Sequence, residues 1–155
     1  MSYIEQLQQL ADMYFEHHSD GTAREILGWA YDNKLWEPHP EDFLRQGAEQ
    51  LARAMREDYG KDPQGRQVRK KHVIKVEREG EQLCLWISDE TATREQMEMA
   101  FQYRRQLIVG DCWQLKTDVD SYNENRNPGE PIQTVMDFRN DMEERELAQL
   151  ASLAG

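Results

Sequence analysis

Residues Thr93 to Asn125 read TREQMEMAFQYRRQLIVGDCWQLKTDVDSYNEN, and the fold turns on them. At 100° per residue, Met97, Phe101, Ile108, Cys112, Leu115, Val119 and Tyr122 fall within about 80° of arc, whereas a strand would scatter them. The spacing predicts one long helix with a narrow apolar stripe. Thr93 followed by Gln96 is a capping box at its start, and Asn-Arg-Asn-Pro-Gly from Asn125 to Gly129 stops it. At 1.5 Å per residue it reaches roughly 45 Å, more than a small domain's width, so one end projects or meets a partner. So narrow a stripe is closer to a coiled-coil seam than to a globular face, and the expected partner is a second copy, giving a dimer through residues 97 to 122.

Working back from this helix, the apolar period changes from 3.6 to 2. His72, Ile74 and Val76 alternate with polar or smaller residues, and Leu83, Leu85 and Ile87 do so beyond Glu79-Gly80, which predicts a β-hairpin with these six on its inner face and Cys84 and Trp86 on the other. Gly60 to Gly65 reads as a loop. Further upstream, Ser2 to His18 carries a broad apolar arc and predicts a first helix. Thr22 and Glu25 form a capping box for a second helix running to about Trp36. Pro40, Glu41 and Asp42 suit the N-terminus of a third, whose buried face would be Leu44, Ala48, Leu51, Met55 and Tyr59. Downstream of Gly129, EPIQTVMDF reads as extended, followed by an acidic tail from Asp137 to Glu146 and a weak Leu/Ala helix. The expected fold is therefore α+β: three N-terminal helices plus a β-hairpin, winged-helix-like in order, and a long C-terminal helix. Residues 1–127 would form one domain that includes helix 93–125, and 128–155 a C-terminal clasp and acidic tail.

Composition narrows the function. The 155 residues are 38% hydrophobic, enough for one core, and the net charge of −11 argues against indiscriminate attraction to phosphate backbones. Cys84 and Cys112 lie in apolar patterns without CxxC spacing and read as buried thiols in a reducing compartment. No stretch approaches 18 apolar residues, and Glu5 stands where a signal peptide needs a positive start, so a cytoplasmic location without membrane contact is expected. His17, His18, His39 and His72 lack partners at metal-ligand spacing, and Asp118 and Asp120 point about 200° apart on a helix, so no metal is expected. No GxSxG, Walker, GxGxxG or HExxH motif occurs. The expectation is a nonenzymatic protein without a cofactor.

Charge placement points to a partner. Lys61 to Lys75 holds six bases against Asp62 alone, while residues 1 to 60 carry five bases and twelve acids. A basic wing of this kind, with Arg66, Arg69, Lys70, Lys71 and Lys75 on phosphates and Arg45 and Arg53 of the third helix toward a groove, would bind nucleic acid. The competing reading is a solvated loop balanced by acidic helices. In the long helix, Arg104 falls inside the apolar stripe with Arg105 at its edge. A charge there needs pairing, with Asp111 the expected carboxylate, or the two arginines form a partner- or anion-binding fork. Gly110 suggests close packing or a kink.

The run RRQLIVGDCWQLKTDVDSYNENRNPGEPIQ, with AREILGWAYDNKLWEP and DPQGRQVRKKH before it, resembles a group of small uncharacterised bacterial and phage proteins over most of residues 22 to 138. The resemblance implies a prokaryotic cytoplasmic protein and carries over no functional residue. Gln133 to Phe138 is similar to the peptides that ligands of bacterial replication clamps insert into the clamp, but Thr134 and Asp137 depart from that pattern, and a fold-back of Ile132, Val135, Met136 and Phe138 over the protein's own core is the preferred reading. The leading function is nucleic-acid binding through the winged-helix-like region. The alternative is a protein-interaction or regulatory module acting through the long helix and acidic tail.

Overall fold

The structure is a computed structural model that describes residues 2–154. Among these the class is α+β, with five α-helices and two separate two-stranded antiparallel sheets. The chain divides into two compact units, Met1–Gln50 and Leu51–Gly155, so the division falls inside the third helix.

In the first unit, α1 (Tyr3–Phe15) and α2 (Ala23–Asp32) each begin on a complete capping box, Ser2 with Glu5 and Thr22 with Glu25. These boxes satisfy N–H groups that no helical carbonyl can reach. The helices meet around Tyr14, which is buried, stacks on His18 at 4.1 Å and meets Trp29 edge-on at 5.6 Å. The Tyr14 hydroxyl donates to the Asp20 carbonyl at 2.8 Å, and a Cβ on Gly21 would lie 2.5 Å from that hydroxyl, so only glycine fits the turn. The second helix stops at Asp32, four residues before the expected end, because Asn33 caps it and Lys34 takes φ +58°. Trp36 then lies outside the helix and donates its indole N–H to the Tyr3 hydroxyl at 2.9 Å.

Pro40–Asp42 forms a 3-10 turn, and α3 follows as Phe43–Arg56. Its expected buried face is not buried, since Leu44 is 81% and Leu51 60% exposed. Periodicity identified the helix correctly but cannot say whether its apolar side finds a surface to cover.

The second unit holds the sheets and the long helix. Tyr59–Lys61 (β1) and Gln67–Arg69 (β2) pair antiparallel, so the expected loop is in fact a small hairpin. Its turn is closed by Asp62, whose Oδ1 accepts from the N–H groups of Gln64 and Arg66, at 3.0 and 2.8 Å, while Gly65 supplies a positive φ. The larger hairpin, Lys71–Arg78 (β3) with Glu81–Ser88 (β4), turns through Glu79 and Gly80, both at positive φ as a two-residue hairpin turn of matching twist requires. His72 faces Ile87, Ile74 faces Leu85 and Val76 faces Leu83, so the six expected inner residues share one face.

The long helix, α4, runs Arg94–Asn125 from the expected Thr93–Gln96 capping box. Its first turns pack along β3, where Ala100 is buried and Phe101 meets His72 edge-on at 5.6 Å. Farther along, the stripe is only partly covered: Ile108 is 53% and Leu115 46% exposed. A Cβ on Gly110 would touch nothing within 4 Å, so neither a close helix nor a tight crossing accounts for that glycine.

Beyond α4 the chain turns back through a polar clamp. Asn123 donates to the Ile132 carbonyl at 2.8 Å and accepts from its N–H at 2.9 Å, and Asn127 bonds Asn123, Glu130 and Gly129 in turn. The expected fold-back of Ile132, Val135, Met136 and Phe138 over the core does not form here: Gln133–Phe138 pairs with no strand, and Ile132 is 52%, Val135 77% and Phe138 44% exposed. The acidic stretch is helical rather than a separate tail, because α5 (Arg139–Ala154) runs through it without a break. No helix among the described residues is long and apolar enough to cross a membrane.

Candidate functional site

Side-chain alternation in β3 and β4 sends His72 and Ile74 to one face and Lys71, Val73, Cys84 and Trp86 to the other. The second face borders a cleft. With Tyr103, Arg104 and Leu107 of α4, Arg69 of β2 and Arg56 of α3, it encloses a cleft of about 290 Å³. The cations Arg56, Arg69, Lys71 and Arg104 and the aromatics Trp86 and Tyr103 line it, and no carboxylate does. A second hollow of about 560 Å³ shares Arg69, His72 and Arg104 and adds Phe101 and Asp89.

Pairing sets Arg56, Arg69 and Arg104 apart from Lys71 and the rest of the basic island. Arg66 is held by Asp62 at 2.8 Å, Lys70 lies 3.7 Å from Glu90, and Lys71 lies 3.0 Å from Asp58. Burial opposes ionisation of Asp62, but the Arg66 hydrogen bonds and charge outweigh it and hold the carboxyl below its usual range. Arg56, Arg69 and Arg104 take part in none of the seven ion pairs among the described residues. The expected carboxylate partner of Arg104 is absent there. Asp111 lines instead a groove between α4 and α5, about two turns along the helix. Partial burial, followed by the like charge of Arg69, lowers the Arg104 pKa, while Tyr59 acts the other way. Arg69 in turn lies 6.0 Å above the Tyr59 ring, close enough for a cation–π contact.

The backbone contributes to this arrangement. His72 Nε2 lies 3.1 Å from the Arg69 carbonyl, and since a carbonyl only accepts, that nitrogen carries the proton. Burial first, then the Arg104 and Arg69 charges, lower the His72 pKa against the opposing effects of the Arg69 carbonyl and Asp89. His72 is therefore a neutral prop under the strand that carries Arg69. Cys84 is exposed, contrary to the expectation of a buried thiol, with its Sγ 3.8 Å from the Tyr103 hydroxyl.

The structure thus brings together Arg69, Lys71 and Arg104 from the expected set and leaves the others apart. Lys75 opens on a neighbouring hollow with Gln82 and Tyr103, Arg105 and Arg53 are exposed and line neither the cleft nor the second hollow, and Arg45 is paired with Asp42 at 3.4 Å in the first unit. Sequence reasoning did not pick out Trp86, Tyr103 or Arg56 as site residues. Trp86 had a legible signal in its alternation with Ile87, but Tyr103 sits off the apolar stripe and nothing local marks it. Among the described residues no three His, Cys, Asp or Glu side chains are gathered as a metal requires. No protein-family model matches the chain, and no curated protein or solved structure is significantly similar to it, so the functional reading rests on this geometry.

Proposed function

We propose that this is a nonenzymatic nucleic-acid-binding protein whose phosphate contacts are made at the cleft between the β3–β4 hairpin and α4. The observation that carries the reading is the convergence of Arg56, Arg69 and Arg104 without a carboxylate partner, beside Lys71, in a chain whose net charge is −11. Unpaired guanidinium groups gathered against their own repulsion are suited to an oxyanion, which each can bind through two N–H groups. In the finer, winged-helix form of the reading, β3–β4 serves as the wing that follows three helices. The overall negative charge keeps nonspecific affinity low, so contact is confined to this patch.

The test is a titration of labelled DNA and RNA at low salt with the wild type and with Arg69→Ala/Arg104→Ala. Each phosphate contact removed lowers affinity regardless of sequence and makes the slope of log affinity against log salt shallower by about one unit. Absence of wild-type binding at about 50 mM salt, or equal binding by the double variant, overturns the reading.

A second reading rests on a different surface. The groove of about 450 Å³ between α4 and α5 is walled by Ile108, Cys112, Leu115, Phe138 and Met142, while Leu147 and Leu150 of the same α5 are 68% and 64% exposed. A second copy related by a two-fold axis would seat this leucine face in the groove, and the reverse contact would follow by symmetry.

A further inference from the structure

We infer that the cleft takes an unpaired nucleotide rather than a duplex backbone, with phosphate on its cationic mouth and a base against Trp86 and Tyr103. The inference rests on the nucleic-acid reading above and adds the form of the ligand.

The cleft is two surfaces in one. Arg56, Arg69 and Arg104 account for an oxyanion, but the exposed lining is more apolar than polar, and Trp86, Tyr103, Val73 and Leu107 are part of it. A duplex offers phosphate and sugar to a protein surface and keeps its bases stacked inward, so it would satisfy the guanidinium groups and leave the aromatic part empty. An unpaired nucleotide carries both chemistries a few ångströms apart, an anion and a flat π-face. Sites that combine a cationic path with aromatic side chains hold single strands this way, with little preference for sequence because every base has a face to stack. The volume of about 290 Å³ is ample for one base.

The strand supports agree with this division of labour. Lys71 on β3 is already paired with Asp58, whereas Arg69 and Arg104 remain available for phosphate. Trp86 stands opposite Val73 in the hairpin register, so its ring is carried by regular sheet rather than by a loop. Stacking therefore costs little ordering of the protein.

The test uses three labelled probes of about 15 nucleotides at low salt: oligo(dT), a strand of the same length with abasic sites throughout, and a blunt duplex. The full-length protein is titrated as the wild type and as Trp86→Leu, Trp86→Phe and Arg69→Ala/Arg104→Ala, each checked for folding by its circular dichroism melt. The expected result is oligo(dT) binding about tenfold tighter than the abasic strand or the duplex, with Trp86→Leu abolishing that preference and Trp86→Phe restoring it. Should Trp86→Leu not fold, tryptophan quenching by oligo(dT) and not by the abasic strand, present in the wild type and lost in Trp86→Phe, carries the same information, since Trp29, Trp36 and Trp113 remain in both. Equal affinity for oligo(dT) and the abasic strand, or a preference that survives Trp86→Leu, overturns the single-strand inference and leaves phosphate binding standing. No wild-type binding to any probe overturns both.

Discussion

His72 on β3 meets Phe101 on α4 edge to face, with ring centroids 5.6 Å apart and planes at 81°, while its Nε2–H is spent on the Arg69 carbonyl. The imidazole thus joins hairpin, long helix and small hairpin at one buried point. Burial chiefly holds its pKa below the ordinary value of 6.5, with the Arg104 and Arg69 charges adding to the shift and the Arg69 carbonyl and Asp89 opposing it. As pH falls through 6.5 the unfolded chain takes up a proton that the folded chain resists, so the unfolded state binds more protons and stability drops. Melting curves between about pH 8 and pH 5 are expected to show a steeper loss of stability in the wild type than in His72→Phe, whose ring cannot titrate. Parallel curves would show that His72 is not the group responsible.

Ile74 faces Leu85 on the inner side of the hairpin and is only 4% exposed. A carboxylate placed there loses the burial of an aliphatic side chain and brings a charge with no partner. Ile74→Asp is expected to cost about 3 kcal/mol or more in chemical denaturation. Lys75→Asp, at the exposed neighbouring position, is expected to change stability by about 0.5 kcal/mol at most.

Asn123 holds the returning chain through both atoms of its amide, at 2.8 and 2.9 Å from the Ile132 backbone. Asn123→Ala removes both bonds and the anchor of Asn127. About 1 to 2 kcal/mol of local stability should be lost, seen as faster hydrogen exchange and proteolysis over residues 128–138 and not over the β3–β4 hairpin. Uniform acceleration across both segments would mean that the clamp supports the whole unit.

Within the basic island the paired and unpaired cations should behave differently. Arg66→Ala is expected to loosen the Asp62 turn while leaving nucleic-acid affinity within about twofold, because its guanidinium is already committed to Asp62. Arg69→Ala is expected to cost about tenfold, as the loss of a charge-assisted contact would. Equal losses from the two would move the contact surface from the cleft to the turn.

Self-association, the second reading proposed above, would use a separate surface. Light scattering at micromolar concentration is expected to give twice the mass of 18.3 kDa, and Leu147→Glu/Leu150→Glu the single mass, with the β3–β4 hairpin unaffected. A wild-type monomer would remove the interface.

Local rules read from the sequence settled the long helix and the larger hairpin. The Thr93–Gln96 box, the apolar period of Met97 to Tyr122 and the break after Asn125 predict α4 as it stands, and the alternation from His72 to Ile87 predicts the β3–β4 face, because capping and side-chain direction depend on neighbours a few residues away. The small β1–β2 hairpin escaped, since three-residue strands joined by a turn carry too little pattern to distinguish from a loop. The basic island was visible as composition, but composition cannot say which charges are already paired. Only the tertiary structure assigns Arg66 to Asp62 and Lys71 to Asp58, leaves Arg69 and Arg104 without a carboxylate, and brings Arg56, Trp86 and Tyr103 to them from three different elements. A cleft is a property of side chains distant in the chain, and its chemistry is decided by the packing of α4 along β3.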